Sequence, residues 1–167
     1  DIVPIVEPEV LMDGAHDIEK CREVTSKTLR AVFEKLKAHK VVLEGIILKP
    51  NMVISGKDAP VKVSALEIAE ATVQTFLEVV PKEVPGIVFL SGGQTPDEAT
   101  ENLAEINKAS LPLRGKVGGP WQLSYSYGRA LQDEALTTWA GKEENMEAAQ
   151  KAFLERAKKV SEARSTR

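Results

Sequence analysis

Lys49 follows Gly45-Ile46-Ile47-Leu48, a run without a polar side chain. At the end of such a run the amine is stripped of water, and desolvation disfavours the ammonium form. An amine free near neutral pH is what imine formation with a ketone requires. The bland alternative is a lysine that leaves a strand and reaches solvent. Glu7 and Glu9 are two residues apart, so on extended backbone both point to one face. Neighbouring carboxylates raise each other's proton affinity, which suits one of them for acid–base work. Around Pro8 the same pair also reads as a solvated acidic turn. Ser91-Gly92-Gly93 leads towards a helix start, and Tyr127-Gly128-Arg129 repeats the arrangement with a guanidinium added. Glycines let backbone approach a ligand, and free N–H groups at a helix start favour an anion such as phosphate. Either glycine segment alone could be a plain turn.

These groups need elements that bring them together. Four short apolar runs recur: Ile2–Val6, Gly45–Leu48, Gly86–Leu90 and Trp121–Tyr127. Each precedes a helical pattern. After the first, Ile18, Cys21, Thr25, Thr28, Val32 and Leu36 recur every three or four residues, with Asp17 as N-cap. After the second, Ser64 and Glu67 form a capping box before the stripe Leu66, Ala69, Val73, Phe76 and Val80. After the third, Thr95-Pro96-Asp97-Glu98 supplies a cap, a proline at the first helical position and acid in the first turn. After the fourth, a helix runs from about Arg129 to Trp139 and stops at Gly141, and Lys142–Arg164 forms one more. The order βαβαβαβα predicts parallel strands joined by helical crossovers. The two middle runs are almost wholly apolar, as strands covered on both faces are. Pro4 fits poorly inside the first run, because proline cannot donate to a ladder.

Two architectures fit: an open doubly wound sheet, or half of a (β/α)₈ barrel. No G-x-G-x-x-G follows the first strand, which weakens the dinucleotide-binding version. Every strand delivers a polar residue at its carboxyl end, where barrel active sites lie, and the loops after the last two strands are a common phosphate site. The expected fold is therefore α/β, a TIM (β/α)₈ barrel of which residues 1–167 supply the last four βα units and a C-terminal helix, as a single domain.

Composition narrows the classes. The chain has 167 residues, 43% hydrophobic and 28% charged, with a net charge of −3. Such a length holds a proper core. No basic stripe is present, which argues against nucleic acid. No apolar run approaches the roughly 20 residues that cross a bilayer, and no secretory leader is visible. The one cysteine, Cys21, excludes a disulfide scaffold and fits a reducing compartment, so a cytoplasmic location is expected, with a plastid as the other option. His16 and His39 are too far apart for a local metal pair, so neither metal nor cofactor is expected. Asp1 already lies within what reads as a strand, so the chain is expected to continue upstream.

Ile5-Val6-Glu7-Pro8-Glu9, Leu48-Lys49-Pro50-Asn51-Met52-Val53, Leu90-Ser91-Gly92-Gly93-Gln94 and Ser126-Tyr127-Gly128-Arg129-Ala130 together resemble class I fructose-1,6-bisphosphate aldolase. The resemblance covers essentially the whole chain, as the second half of that enzyme. It implies that Lys49 forms the imine, that Glu7 shuttles protons and that Glu9 positions it. It implies that Ser91, Gly92, Gly128 and Arg129 hold the substrate phosphate. It also implies phosphorylated ketose and triose substrates, a place in glycolysis, gluconeogenesis or the Calvin cycle, and a homotetramer. The segment Ala109–Pro120 is longer than in the animal members. The family's other active-site groups lie on first-half strands, and its tail ends in a tyrosine; neither is in this chain. Two other readings stand beside this one: another Schiff-base lyase acting on phosphosugars, and a non-catalytic half-barrel that serves as a protein-interaction module.

Overall fold

A computed structural model describes residues 2–110 and 121–165. Four strands form one sheet in the order β1-β2-β3-β4, all parallel: β1 (Ile5–Val6), β2 (Ile47–Leu48), β3 (Gly86–Phe89) and β4 (Gln122–Tyr125). The crossovers are α1 (Ile18–Ala38), α2 (Ala65–Val79) and α3 (Pro96–Ser110); α4 (Arg129–Trp139) and α5 (Met146–Ser165) follow β4. The expected order is the observed one, with shorter strands. A 3-10 turn at Leu43–Gly45 takes the start of the second run. Pro4 stands just before β1 and contributes only its carbonyl, which accepts from Ile47 N–H at 3.0 Å, so its missing N–H interrupts no ladder bond. Of the lengthened connection read at Ala109–Pro120, Ala109 and Ser110 close α3, and 111–120 lie outside the described residues.

The helices begin where their caps dictate. Asp17 accepts from the Lys20 N–H at 2.8 Å. Ser64 and Glu67 exchange both bonds of the capping box. Thr95 and Glu98 do the same before α3. The α4 helix ends in a left-handed pair, Ala140 (φ 49°) and Gly141 (φ 73°), so the stop signal read at Gly141 begins one residue earlier. The final helix also starts later than expected, because 143–145 form a separate 3-10 turn.

Strand alternation sorts the sheet into two faces. Leu48, Ile87, Phe89 and Leu123 are buried on one, and Phe76 of α2 stacks on Phe89 there with ring centroids 5.7 Å apart. Ile5, Ile47, Val88 and Ser124 lie on the opposite face and keep part of their surface open; Ile5 is 52% exposed. The helical layer thus seals one face and leaves the other accessible. Two stripes shift relative to expectation. In α1 the buried residues are Cys21, Thr25, Leu29 and Phe33, so the stripe steps by four where Thr28 and Val32 implied steps of three and four. In α2, Ile68 and Thr72 are buried and Leu66 is exposed, because the face turned inward lies to one side of the most apolar line.

Candidate functional site

The register carries Glu7 and Lys49 to one rung. Val6 pairs with Leu48, and the next residue on each strand is the charged one. The Lys49 N–H donates to the Val6 carbonyl at 2.8 Å, which holds the two chains together just beyond the strands. Lys49 Nζ then lies 2.9 Å from Glu7 Oε1. By alternation both belong to the open face, with Val88 and Ser124 on the same rung of β3 and β4. An amine and a carboxylate in direct contact there can exchange a proton and meet a ligand from outside the sheet.

Glu7 and Glu9 go to different partners. A Cβ built on Gly92 would stand 2.7 Å from Glu9 Oε1, so the carboxylate of Glu9 rests over the backbone at the end of β3. Asn51 fixes the chain just beyond them, at Val10. Its side chain is buried, accepts from the Val10 N–H at 3.1 Å and donates to Thr25 Oγ1 and the Met52 carbonyl. That network ties the loop after β1 to the loop after β2 and to α1.

The two glycine-bearing loops emerge side by side. Phe89 pairs with Tyr125, and the Ser126 N–H donates to the Phe89 carbonyl at 2.9 Å, so Ser91 and Tyr127 follow the same rung. Gly93 takes φ 77°, and a Cβ there would collide with Met12 at 2.5 Å. Gly128 caps α4 without a side-chain bond, leaving Arg129 as its exposed first residue. Tyr127 is buried, and its hydroxyl donates to the Ala99 carbonyl of α3 at 2.8 Å. Burial holds the Tyr127 phenol well above its ordinary range, so it stays a neutral donor.

Sequence reasoning missed a second polar centre behind these loops. Arg156 of α5 is 1% exposed and reaches Asp97 and Thr100 of α3 and Glu134 of α4. Nothing in the α5 pattern marks this arginine, because its neighbours Lys158 and Lys159 are ordinary surface cations. His16 was read only as a failed metal ligand; it packs beside Gly56, and its Nε2 is buried without a hydrogen-bond partner. Among the described residues, no group of three or more His, Cys, Asp and Glu side chains is placed to hold a metal ion. No described helix is long and apolar enough to cross a membrane.

Parallel strands with helical crossovers, an amine–carboxylate pair at two strand ends and two glycine loops at the next two place these groups along one sheet's carboxyl end, where barrel proteins carry their sites. The chain belongs to the class I fructose-bisphosphate aldolase family, whose sequence profile matches residues 1–167. It is 56% identical over 162 residues to cytosolic fructose-bisphosphate aldolase 4 of Arabidopsis thaliana, covering 97% of this chain and 40% of that protein. It is 54% identical over 156 residues to fructose-bisphosphate aldolase B of Gallus gallus, covering 93% and 41%. The fold matches the fructose-bisphosphate aldolase of Plasmodium falciparum, solved with TRAP and a small-molecule inhibitor. That match has a TM-score of 0.89 and 47% identity, and covers 98% of this chain and 45% of that one. The chain therefore spans less than half the length of these relatives, and its four-stranded sheet is part of a TIM barrel.

Proposed function

We propose that this chain is the carboxyl-terminal half of a single barrel domain that cleaves fructose 1,6-bisphosphate reversibly to dihydroxyacetone phosphate and glyceraldehyde 3-phosphate, through an imine and without a metal ion. The observation that carries the reading is the 2.9 Å contact between Lys49 and Glu7 on the open face of the sheet.

Lys49 attacks C2 of the open-chain ketose. Glu7 donates the proton with which the carbinolamine loses water, leaving a protonated imine. The C4 hydroxyl gives its proton to the Glu7 carboxylate left by the preceding step, the C3–C4 bond breaks, and the electron pair passes into the imine to give an enamine. Glyceraldehyde 3-phosphate leaves. Protonation of the enamine at C3 and hydrolysis of the imine release dihydroxyacetone phosphate. Glu9 holds the Glu7 segment against the backbone at Gly92. Ser91, Gly92, Gly128 and Arg129 hold the phosphate of the ketone half, Ser91 and Gly92 from the loop before α3 and Gly128 and Arg129 at the start of α4, where anions are favoured. The enzyme serves glycolysis or gluconeogenesis in the cytoplasm, as the names of the plant relatives suggest, and assembles as a homo-oligomer, a tetramer by family likeness.

Borohydride trapping tests this in the full-length polypeptide that carries the chain. Dihydroxyacetone phosphate with borohydride is expected to leave a covalent adduct on Lys49. Lys49→Ala abolishes it, and so does Lys49→Arg, because a guanidinium stays protonated. An unchanged adduct yield in Lys49→Ala would reject the assignment and favour the interaction-module reading.

A further inference from the structure

The buried guanidinium of Arg156 lies outside the proposed catalytic pair. Its Nη1 is 2.9 Å from Asp97 Oδ1 and 3.5 Å from Thr100 Oγ1, both on α3. Its Nε is 3.2 Å from Glu134 Oε2, and its Nη2 contacts Glu134 Oε1, both on α4. Asp97 is the second residue of α3, six beyond Ser91. Glu134 is five beyond Arg129 on α4, about 7.5 Å along the helix. One side chain therefore bridges α4, whose start carries Gly128 and Arg129, to α3, which begins four residues beyond Gly92.

Stability alone does not account for a charge in this place. Only the guanidinium is enclosed; the Asp97 and Glu134 side chains are 83% and 44% exposed, so water screens the pairs and they stabilise little. What the planar fork supplies is geometry: its donors leave in fixed directions, so both carboxylates are set at one distance and angle. The Tyr127 hydroxyl on Ala99 adds a second tie between the β4 loop and α3. The two ties join α3 to α4 and to the segment just before it.

We propose that Arg156 is a positioning residue: by bridging Asp97 and Thr100 to Glu134, it fixes the separation at which Ser91-Gly92 and Gly128-Arg129 meet one phosphate. This rests on the phosphate assignment above. Arg156 is not placed to touch the substrate; it acts through the starts of α3 and α4.

The experiment compares Arg156→Met, Glu134→Ala, Arg129→Ala and the double variant Arg129→Ala/Glu134→Ala in the full-length polypeptide. The probes are dihydroxyacetone phosphate, whose binding is measured at equilibrium, and unphosphorylated dihydroxyacetone, trapped with borohydride. Arg156→Met and Glu134→Ala are expected to weaken dihydroxyacetone phosphate roughly three- to tenfold, as coupled contacts do, with trapping of dihydroxyacetone unchanged. In the Arg129→Ala background the Glu134→Ala effect should vanish, because the group it positions is gone. Should Arg156→Met fail to fold, Glu134→Ala, which leaves Arg156 paired with Asp97, decides the matter. Equal losses with and without the phosphate, or a Glu134→Ala effect that persists in the Arg129→Ala background, would overturn the positioning role. If Arg129→Ala weakens the phosphate and Glu134→Ala does not, the role of Arg156 falls alone. If Arg129→Ala binds the phosphate unchanged, the phosphate assignment falls and the role of Arg156 with it.

Discussion

Lys49 is the buried partner and Glu7 the open one: their side chains are 19% and 47% exposed across a contact of 2.9 Å. The lysine is held by the sheet, while the carboxylate borders the open face. Glu7→Gln keeps the shape and removes the proton acceptor. In the full-length enzyme it is expected to slow cleavage by about 10²- to 10⁴-fold and to leave phosphate affinity unchanged. Steady-state rates with fructose 1,6-bisphosphate check this, and a rate near that of the parent would remove Glu7 from the mechanism.

A Cβ on Gly92 would stand 2.7 Å from Glu9 Oε1, so a side chain there must push the Glu9 carboxylate aside. Gly92→Ala is expected to displace the Glu9 carboxylate and to weaken both phosphate binding and turnover. Gly128 meets nothing within 4 Å of the equivalent position. Gly128→Ala should therefore be the milder change, and the order of the two binding constants is the measurement.

Asn51 joins three segments through buried hydrogen bonds. Asn51→Ala leaves the Val10 N–H and Thr25 hydroxyl without this partner. It is expected to cost about 2 kcal/mol, read as a lower denaturant midpoint at unchanged slope. Turnover should fall too, since the Val10 bond anchors the segment that carries Glu7 and Glu9.

The Arg156 hydrogen bond holds the Glu134 carboxyl below its ordinary value of 4.5, although partial burial works in the opposite direction. A carboxyl depressed in the folded state binds fewer protons there than when unfolded, so its contribution is complete above pH 4.5 and is lost as pH falls through the lower, folded value. Glu134→Gln should therefore lower stability at neutral pH, and the gap to the parent should narrow below pH 4.5. Denaturant melts at a series of pH values test the sign; a gap that widens in acid would contradict it.

Among the described residues, the outer edges of β1 and β4 carry no strand partner. Open edges invite pairing with other chains. The isolated 167-residue chain is expected to self-associate and to show no useful cleavage of fructose 1,6-bisphosphate. Adding the first half of the barrel should restore turnover. A soluble monomer of the isolated chain with the rate of a whole enzyme would contradict the half-barrel argument.

The caps made the fold legible: Asp17, Ser64-Glu67 and Thr95-Glu98 each start a helix where short-range chemistry places it. Lys49 and Glu7 were legible for a similar reason, since adjacent parallel strands in register bring consecutive strand ends together. The inward face of α2 was not, because Thr72 and Thr75 are buried beside apolar neighbours and hydropathy alone turns the helix towards Leu66. Arg156 was invisible for a stronger reason: its partners lie 59 and 22 residues away, and only tertiary packing makes them neighbours.

Cys21 is the single thiol in the sequence. It is buried, with its Sγ 4.0 Å from Met12 Sδ and 3.8 Å from the Thr25 hydroxyl that Asn51 also engages. Burial pushes the thiol above its ordinary value, so little reactive thiolate forms while it stays enclosed. A thiol reagent must then wait for α1 to lift from the loop that carries Glu7 and Glu9. Where reclosing outpaces labelling, the labelling rate at Cys21 reports the free energy of that local opening. The chain thus carries a single-site clock for the motion of the loop that holds Glu7 and Glu9, readable by mass spectrometry without a substitution.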